Sequence, residues 1–148
     1  MWLFLIVSVL IDQVSKIFAS NISSSIILIP NFLSLEYVEN RGAVFGIMQG
    51  SNKILAILSF IICIVISIYI YRQKKSNNKI PFAWYMILAG GIGNLIDRII
   101  RGYVVDFIAT PFIATFNIAD SFVVLGVIWL LLIEIKDWYQ NRKNERKG

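Results

Sequence analysis

The sequence predicts an all-α membrane protein of four transmembrane helices, both termini cytoplasmic, with a short β-rich segment in the first outer loop. Three observations carry that prediction. Of the 148 residues, 57% are hydrophobic and 16% charged, whereas a soluble domain sits near half apolar and a quarter charged. The apolar residues fall into four runs, each close to the roughly 20 residues that cross a hydrocarbon core as helix. The cations gather in one connection and in the C-terminal tail.

Span one covers about residues 2–19 and is interrupted by Asp12 and Lys16. A cleaved signal peptide is the competing reading, but this stretch has no basic n-region, and Asp12 falls where signal peptides avoid charge. The outer loop of about 20–52 follows. Its stretch Ile26–Val38 is β-branched and aromatic, is broken by Pro30-Asn31, and reads as short strands. Asn40-Arg-Gly-Ala-Val-Phe-Gly46 reads as a turn, with Ala43–Met48 as a short amphipathic helix. So apolar a loop is expected to lie on the bilayer surface or to cover a site. Span two, about 54–71, carries no charge. The next connection, Arg72-Gln-Lys-Lys-Ser-Asn-Asn-Lys79, has four cations and no anion. Span three runs over about 81–100 and is uncharged until Asp97; after a link of about 101–116, span four covers about 118–135. The tail adds Lys136, Arg142, Lys143, Arg146 and Lys147 against Asp137 and Glu145. The positive-inside rule then puts both termini and the middle loop in the cytoplasm. Four spans use most of the chain, which reads as a single membrane domain, 1–148. The stretch before span one is minimal.

The inventory removes several kinds of chemistry. With no histidine, Ser-His-Asp, Cys-His and His-ligated zinc sites are impossible. The one cysteine, Cys63, lies between Ile62 and Ile64 and reads as an inert thiol in an apolar segment. Neither a metal nor a cofactor is expected. The net charge of +5 reflects the cytoplasmic bias and attraction to anionic membrane lipid. No basic stretch alternates with aromatics as a nucleic-acid platform would, so nucleic acid is not an expected partner.

Charge inside a span costs about 2.5–3.5 kcal/mol per residue on insertion scales, which makes each such residue a candidate for function. In the predicted orientation Asp12, Lys16, Asn94, Asp97, Arg98 and Asp120 lie toward the outer ends of their spans, and Asp106 stands in the short outer link. Asp12 and Lys16 are spaced i, i+4 in the favourable acid-first order and read as an internal ion pair that lets span one pack. Asp97 reads as an anchor for a turn region at Gly90-Gly-Ile-Gly-Asn94, whose glycines, with Ala89, also offer a small face for close helix packing. Asp106 and Asp120 have no cation at helical spacing, and both sit in apolar settings. Two carboxyls held close share a proton, the arrangement of an aspartic protease. Taken alone, Asp120 also reads as an N-cap for span four.

The chain resembles the bacterial lipoprotein signal peptidases (signal peptidase II) over nearly its whole length. The residues that carry the resemblance are Asp12-Gln-Val-Ser-Lys16, Asn40-Arg-Gly-Ala-Val-Phe-Gly46, Gly90-Gly-Ile-Gly-Asn-Leu-Ile-Asp-Arg98, Gly102-Tyr-Val-Val-Asp-Phe107 and Phe116-Asn-Ile-Ala-Asp-Ser121. The resemblance implies an intramembrane aspartic endopeptidase of the bacterial cytoplasmic membrane, with its site near the extracytoplasmic face. It would cut prolipoproteins before a diacylglyceryl-modified cysteine. By the same resemblance Asp106 and Asp120 are the catalytic pair. Asn40, Asn94 and Arg98 hold the substrate backbone and the blocking cyclic-peptide antibiotics of the globomycin type. Asp12, Lys16, Asp97 and Asn117, with Gly42, support the site. The outer loop matches a small β-cradle and a surface helix that closes over substrate, and a monomer is expected.

Two other readings stay open on the residues. A small proton- or ion-coupled transporter would distribute polar groups through the membrane depth, whereas here they are one-sided. A non-enzymatic assembly factor would tolerate Asn at 106 and 120.

Overall fold

The computed structural model describes residues 1–42 and 51–145. Its order is α1 (Trp2–Ala19), β1 (Ile26–Ile29), β2 (Leu33–Asn40), α2 (Asn52–Lys75), α3 (Ala83–Ile100), β3 (Val104–Thr110), β4 (Ile113–Phe116) and α4 (Ile118–Glu145). The four helices occupy the expected apolar runs. α2 and α4 extend beyond them into polar sequence, because neither a glycine nor a proline follows either span to break the helix before its end. The short helix expected at Ala43–Met48 lies outside the described residues.

α1 is inside out by the standard of a water-soluble helix. Its buried residues are Ser8, Asp12, Lys16 and Ala19, one stripe at three- and four-residue spacing, while Leu3, Ile6, Leu10, Ile17 and Phe18 face outward. Such a helix suits a solvent of hydrocarbon, in which polar groups must find partners within the protein. α1, α2 and α4 are long and apolar enough to cross a membrane. α3 matches α1 in length but carries Asn94, Asp97 and Arg98 in its last two turns, and it is the most enclosed helix, packed against the other three.

The segment Gly90-Gly-Ile-Gly-Asn94 forms no turn; α3 runs straight through it. Each glycine costs a helix about 1 kcal/mol relative to alanine, and close packing offsets that here. A Cβ on Gly90 would lie 2.2 Å from the Ala119 carbonyl oxygen, and one on Gly93 would lie 2.6 Å from Asp12 Oδ2. On the other side of α3, Tyr85, Leu88 and Leu95 pack with Cys63, Ile66 and Ile70 of α2. The cysteine is thus enclosed in apolar packing.

The strands form one antiparallel sheet in the order β1-β2-β3-β4. This corrects the all-α expectation and the placing of β structure in the first outer loop alone. The link of 101–116 supplies half of the sheet. Val104-Val-Asp-Phe-Ile108 is β-branched and aromatic, suited to a strand. Val104, Val105, Asp106 and Phe107 are all buried, Val105 and Phe107 in a cluster with Ala19. A strand buried along both faces shows no polar alternation, which is why it reads as a mere link.

Candidate active site

Among the described residues, the buried charges Asp12, Lys16, Asp97 and Asp106 all lie at the end of the bundle that carries the sheet. Lys16 is fully buried, and its ammonium meets three acceptors: Asp12 Oδ2 at 2.8 Å, Asp97 Oδ2 at 2.9 Å and Asn94 Oδ1 at 3.0 Å. Three donors and three acceptors satisfy the group completely. Asp97 also pairs with Arg101, so Asp12 and Asp97 are balanced by Lys16 and Arg101. The expected Asp12–Lys16 pair is present, but as part of a larger cluster joining α1 to α3.

Asp106 and Asp120 stand outside this balance and are held by amides. In the β2–β3 register Val38 opposes Asp106 and Asn40 opposes Val104. Asn40 and Asp106 are thus diagonal neighbours on one face, and Asn40 Nδ2 donates to Asp106 Oδ2 at 2.8 Å. Asn117 Nδ2 donates to Asp106 Oδ1 at 2.7 Å and faces Asn94 Oδ1 at 3.1 Å. Asn94 Nδ2 in turn donates to Asp120 Oδ1 at 2.7 Å.

Asn117, rather than Asp120, is the N-cap of α4. Its Oδ1 accepts from the Asp120 amide at 2.8 Å, and Asp120 Oδ2 accepts from the Asn117 amide at 3.2 Å. This reciprocal pair is a capping box with Asp in the place of Glu. Asn117 therefore ends β4, starts α4 and touches both sides of the site. Its buried side chain links the two carboxyls through amides rather than through a cation.

The Asp106 carboxyl is 2% exposed. Burial pushes its pKa up from 3.8 to about 6, opposed by the Asn40 and Asn117 hydrogen bonds and assisted by the charge of Asp120. Asp120, Asn94 and Asn40 are half-buried and form the accessible side of the group.

The remaining expected site residues lie nearby with lesser contacts. Gly42 donates its amide to Asn40 Oδ1 at 3.0 Å, which turns the Asn40 amide nitrogen toward Asp106. Arg98 is half-buried; its guanidinium approaches the Asn94 carbonyl oxygen at 3.4 Å, and among the described residues it makes no bond to either aspartate. Two residues were missed by the sequence reading. Arg101 lies at i, i+4 from Asp97, a spacing visible in the sequence but overlooked beside the adjacent Arg98. Gln13 bonds to Asp12 Oδ2 at 3.1 Å and to the Gly93 carbonyl at 3.0 Å; no sequence signal marks it apart from its neighbour Asp12.

Comparison with known proteins agrees on one family. The family profile described as Signal peptidase (SPase) II matches residues 4–136. A protein of Caldicellulosiruptor bescii named lipoprotein signal peptidase is 37% identical over 92% of this chain and 91% of its own. One of the same name from Clostridium tetani is 36% identical over 94% of this chain and 95% of its own. A solved structure described as a bacterial membrane enzyme superposes with a TM-score of 0.81 at 35% identity, covering 91% of this chain and 87% of that one.

Proposed function

Since the chain belongs to the signal peptidase II family of bacterial membrane proteases, we propose that it removes the signal peptide from prolipoproteins, cutting before a diacylglyceryl-modified cysteine, with Asp106 and Asp120 as the catalytic pair. The observation that carries this reading is the contrast among the charged groups. Asp12 and Asp97 are neutralised by cations, whereas among the described residues the hydrogen bonds to the Asp106 and Asp120 carboxyls come from amides, and the charge of Asp120 is felt at Asp106. Two carboxyls so placed hold one proton between them most easily.

In the proposed reaction the ionised member takes a proton from water as the water oxygen adds to the scissile carbonyl. The protonated member donates a hydrogen bond to the carbonyl oxygen, and a proton then passes to the leaving amine as the C–N bond breaks. The products are the signal peptide carboxylate and the free amine of the lipid-modified cysteine. Asn117, with Asn40 and Asn94, holds the carboxyls, Gly42 supports Asn40, and Asn40, Asn94 and Arg98 would hold the substrate backbone. All four helices would cross the bacterial cytoplasmic membrane as one peptidase domain acting as a monomer. The cations at the far end would face the cytoplasm and the sheet the outer side. A lipid anchor on the substrate then keeps the scissile bond at the depth of the aspartates, and globomycin-type cyclic peptides would block the same place.

The test is cleavage of a diacylglyceryl-modified prolipoprotein by purified protein, with the unlipidated precursor as control. Wild type should cut before the modified cysteine. Asp106→Asn and Asp120→Asn, still folded, should each lose about 10²–10⁴-fold in rate or more. Undiminished cutting by both variants would sink the catalytic assignment, and a folded wild type that cuts nothing would sink the peptidase reading.

A further inference from the structure

Five side chains close a ring between α1 and α3. Lys16 joins Asp12 at 2.8 Å to Asp97 at 2.9 Å. Asp97 Oδ1 pairs with Arg101 Nη1, and the same nitrogen reaches Gln13 Oε1 at 3.3 Å. Gln13 Nε2 returns to Asp12 Oδ2 at 3.1 Å, completing the circuit. With two carboxylates and two cations, the ring is charge-neutral.

The ring has four exits: one, from Gln13 Nε2 to the Gly93 carbonyl at 3.0 Å, stays on α3, and the other three end beside a proposed catalytic aspartate. Asp12 Oδ1 accepts the amide of Ala119, the residue before Asp120, at 2.9 Å. Asp97 Oδ2 accepts the amide of Val105, the residue before Asp106, at 3.2 Å. Lys16 holds Asn94 Oδ1 at 3.0 Å, so that the Asn94 Nδ2 faces Asp120. These exits tie β3 and the start of α4 to the α1–α3 pair.

We infer that Gln13 and Arg101 are positioning residues for the proposed peptidase reaction: by closing the ring they fix the Asp12 and Asp97 carboxylates, and these carboxylates set where Asp106 and Asp120 stand. This rests on the peptidase reading above. The stoichiometry explains why closure matters. Each carboxylate has one oxygen committed to an exit or shared with it, and rotation of the group would trade that exit for another partner. Arg101 occupies Asp97 Oδ1, which leaves Oδ2 for Val105. Gln13, its carbonyl oxygen taken by Arg101, can only present its amide nitrogen to Asp12 and to the Gly93 carbonyl. Supporting groups of this kind hold a reacting geometry within a fraction of an ångström.

The experiment measures kcat and KM per folded protein for Gln13→Leu, Arg101→Gln and Arg101→Lys, beside wild type and Asp106→Asn. Arg101→Lys keeps a cation on Asp97 but lacks the guanidinium fork that also reaches Gln13, so it retains the fold if Arg101→Gln does not. Gln13→Leu and Arg101→Gln should lower kcat about tenfold or more with KM within about twofold, the signature of displaced catalytic groups. Arg101→Lys should fall between them and wild type. Gln13→Leu and Arg101→Lys at full kcat, in a preparation whose wild type cuts and whose Asp106→Asn does not, would overturn the ring's role alone. Lower melting temperature with unchanged kcat would do the same. A wild type that cuts nothing overturns both this inference and the peptidase reading.

Discussion

Asp106 is the residue whose surroundings make the sharpest statement about pH. Its carboxyl is enclosed on β3, receives one amide hydrogen bond on each oxygen, and has a pKa pushed up by burial from 3.8 to about 6. Folding therefore favours its protonated form. The stability this lends is complete below about pH 4, falls as the pH rises through about 6, and is absent above. Between those limits the folded chain holds more protons than the unfolded one. Melting temperatures measured in detergent from pH 4 to 8 should decline more steeply for wild type than for Asp106→Asn, and parallel curves would show that Asp106 does not titrate in this range. Lys16 illustrates the opposite case. It is equally enclosed, but its three donors are all met, and the two anions beside it make burial of the charge tolerable.

At the scale of elements, the contact between α3 and α4 sets the spacing of the site. Asn94 projects from α3 to meet Asp120 in the first turn of α4, so the two helices must approach backbone to backbone. Gly90 permits this, since a Cβ there would sit 2.2 Å from the Ala119 carbonyl oxygen. Gly90→Ala should separate the helices and cost about 1–3 kcal/mol in stability by overpacking. It should also lower activity, because Ala119 adjoins Asp120. A variant with wild-type melting temperature and activity would mean that the helices yield without cost. The small face of α3 was legible in the sequence as glycines and Ala89, and so were β1 and β2, from their β-branched residues. β3 was not, because a strand buried on both faces shows no alternation, and β4 was not, because its four residues are too few to mark a strand. Asn117 was legible as a polar residue near a helix start. That it caps α4 and bonds Asp106 at once depends on the β3–β4 hairpin bringing residue 106 back beside residue 117.

For the whole molecule, the four helices place the sheet and, among the described residues, every buried charge at one end. Trp2, Phe82 and Tyr85, with the cations of 72–79, lie at the other. The proposed four spans follow from this arrangement together with the bias of the basic residues. Single cysteines at Ser24, Ser76 and Asn141, all exposed, provide the check by membrane-impermeant thiol labelling of cells, with Cys63 buried and silent. Ser24→Cys should label from outside, and Ser76→Cys and Asn141→Cys only after the membrane is opened. Labelling of positions 76 and 141 from opposite sides would mean that α3 does not cross. The membrane character of the protein, the course of its helices and the polar residues out of place in them are all legible in the order of residues. These are properties of runs of neighbouring residues, and burial in hydrocarbon acts on runs. Which carboxylates are neutralised and which are left to amides emerges with the packing of the elements. Charge compensation acts through space, and Lys16, Asp97, Asp106 and Asp120 come within its reach only when α1, α3, β3 and α4 are packed together.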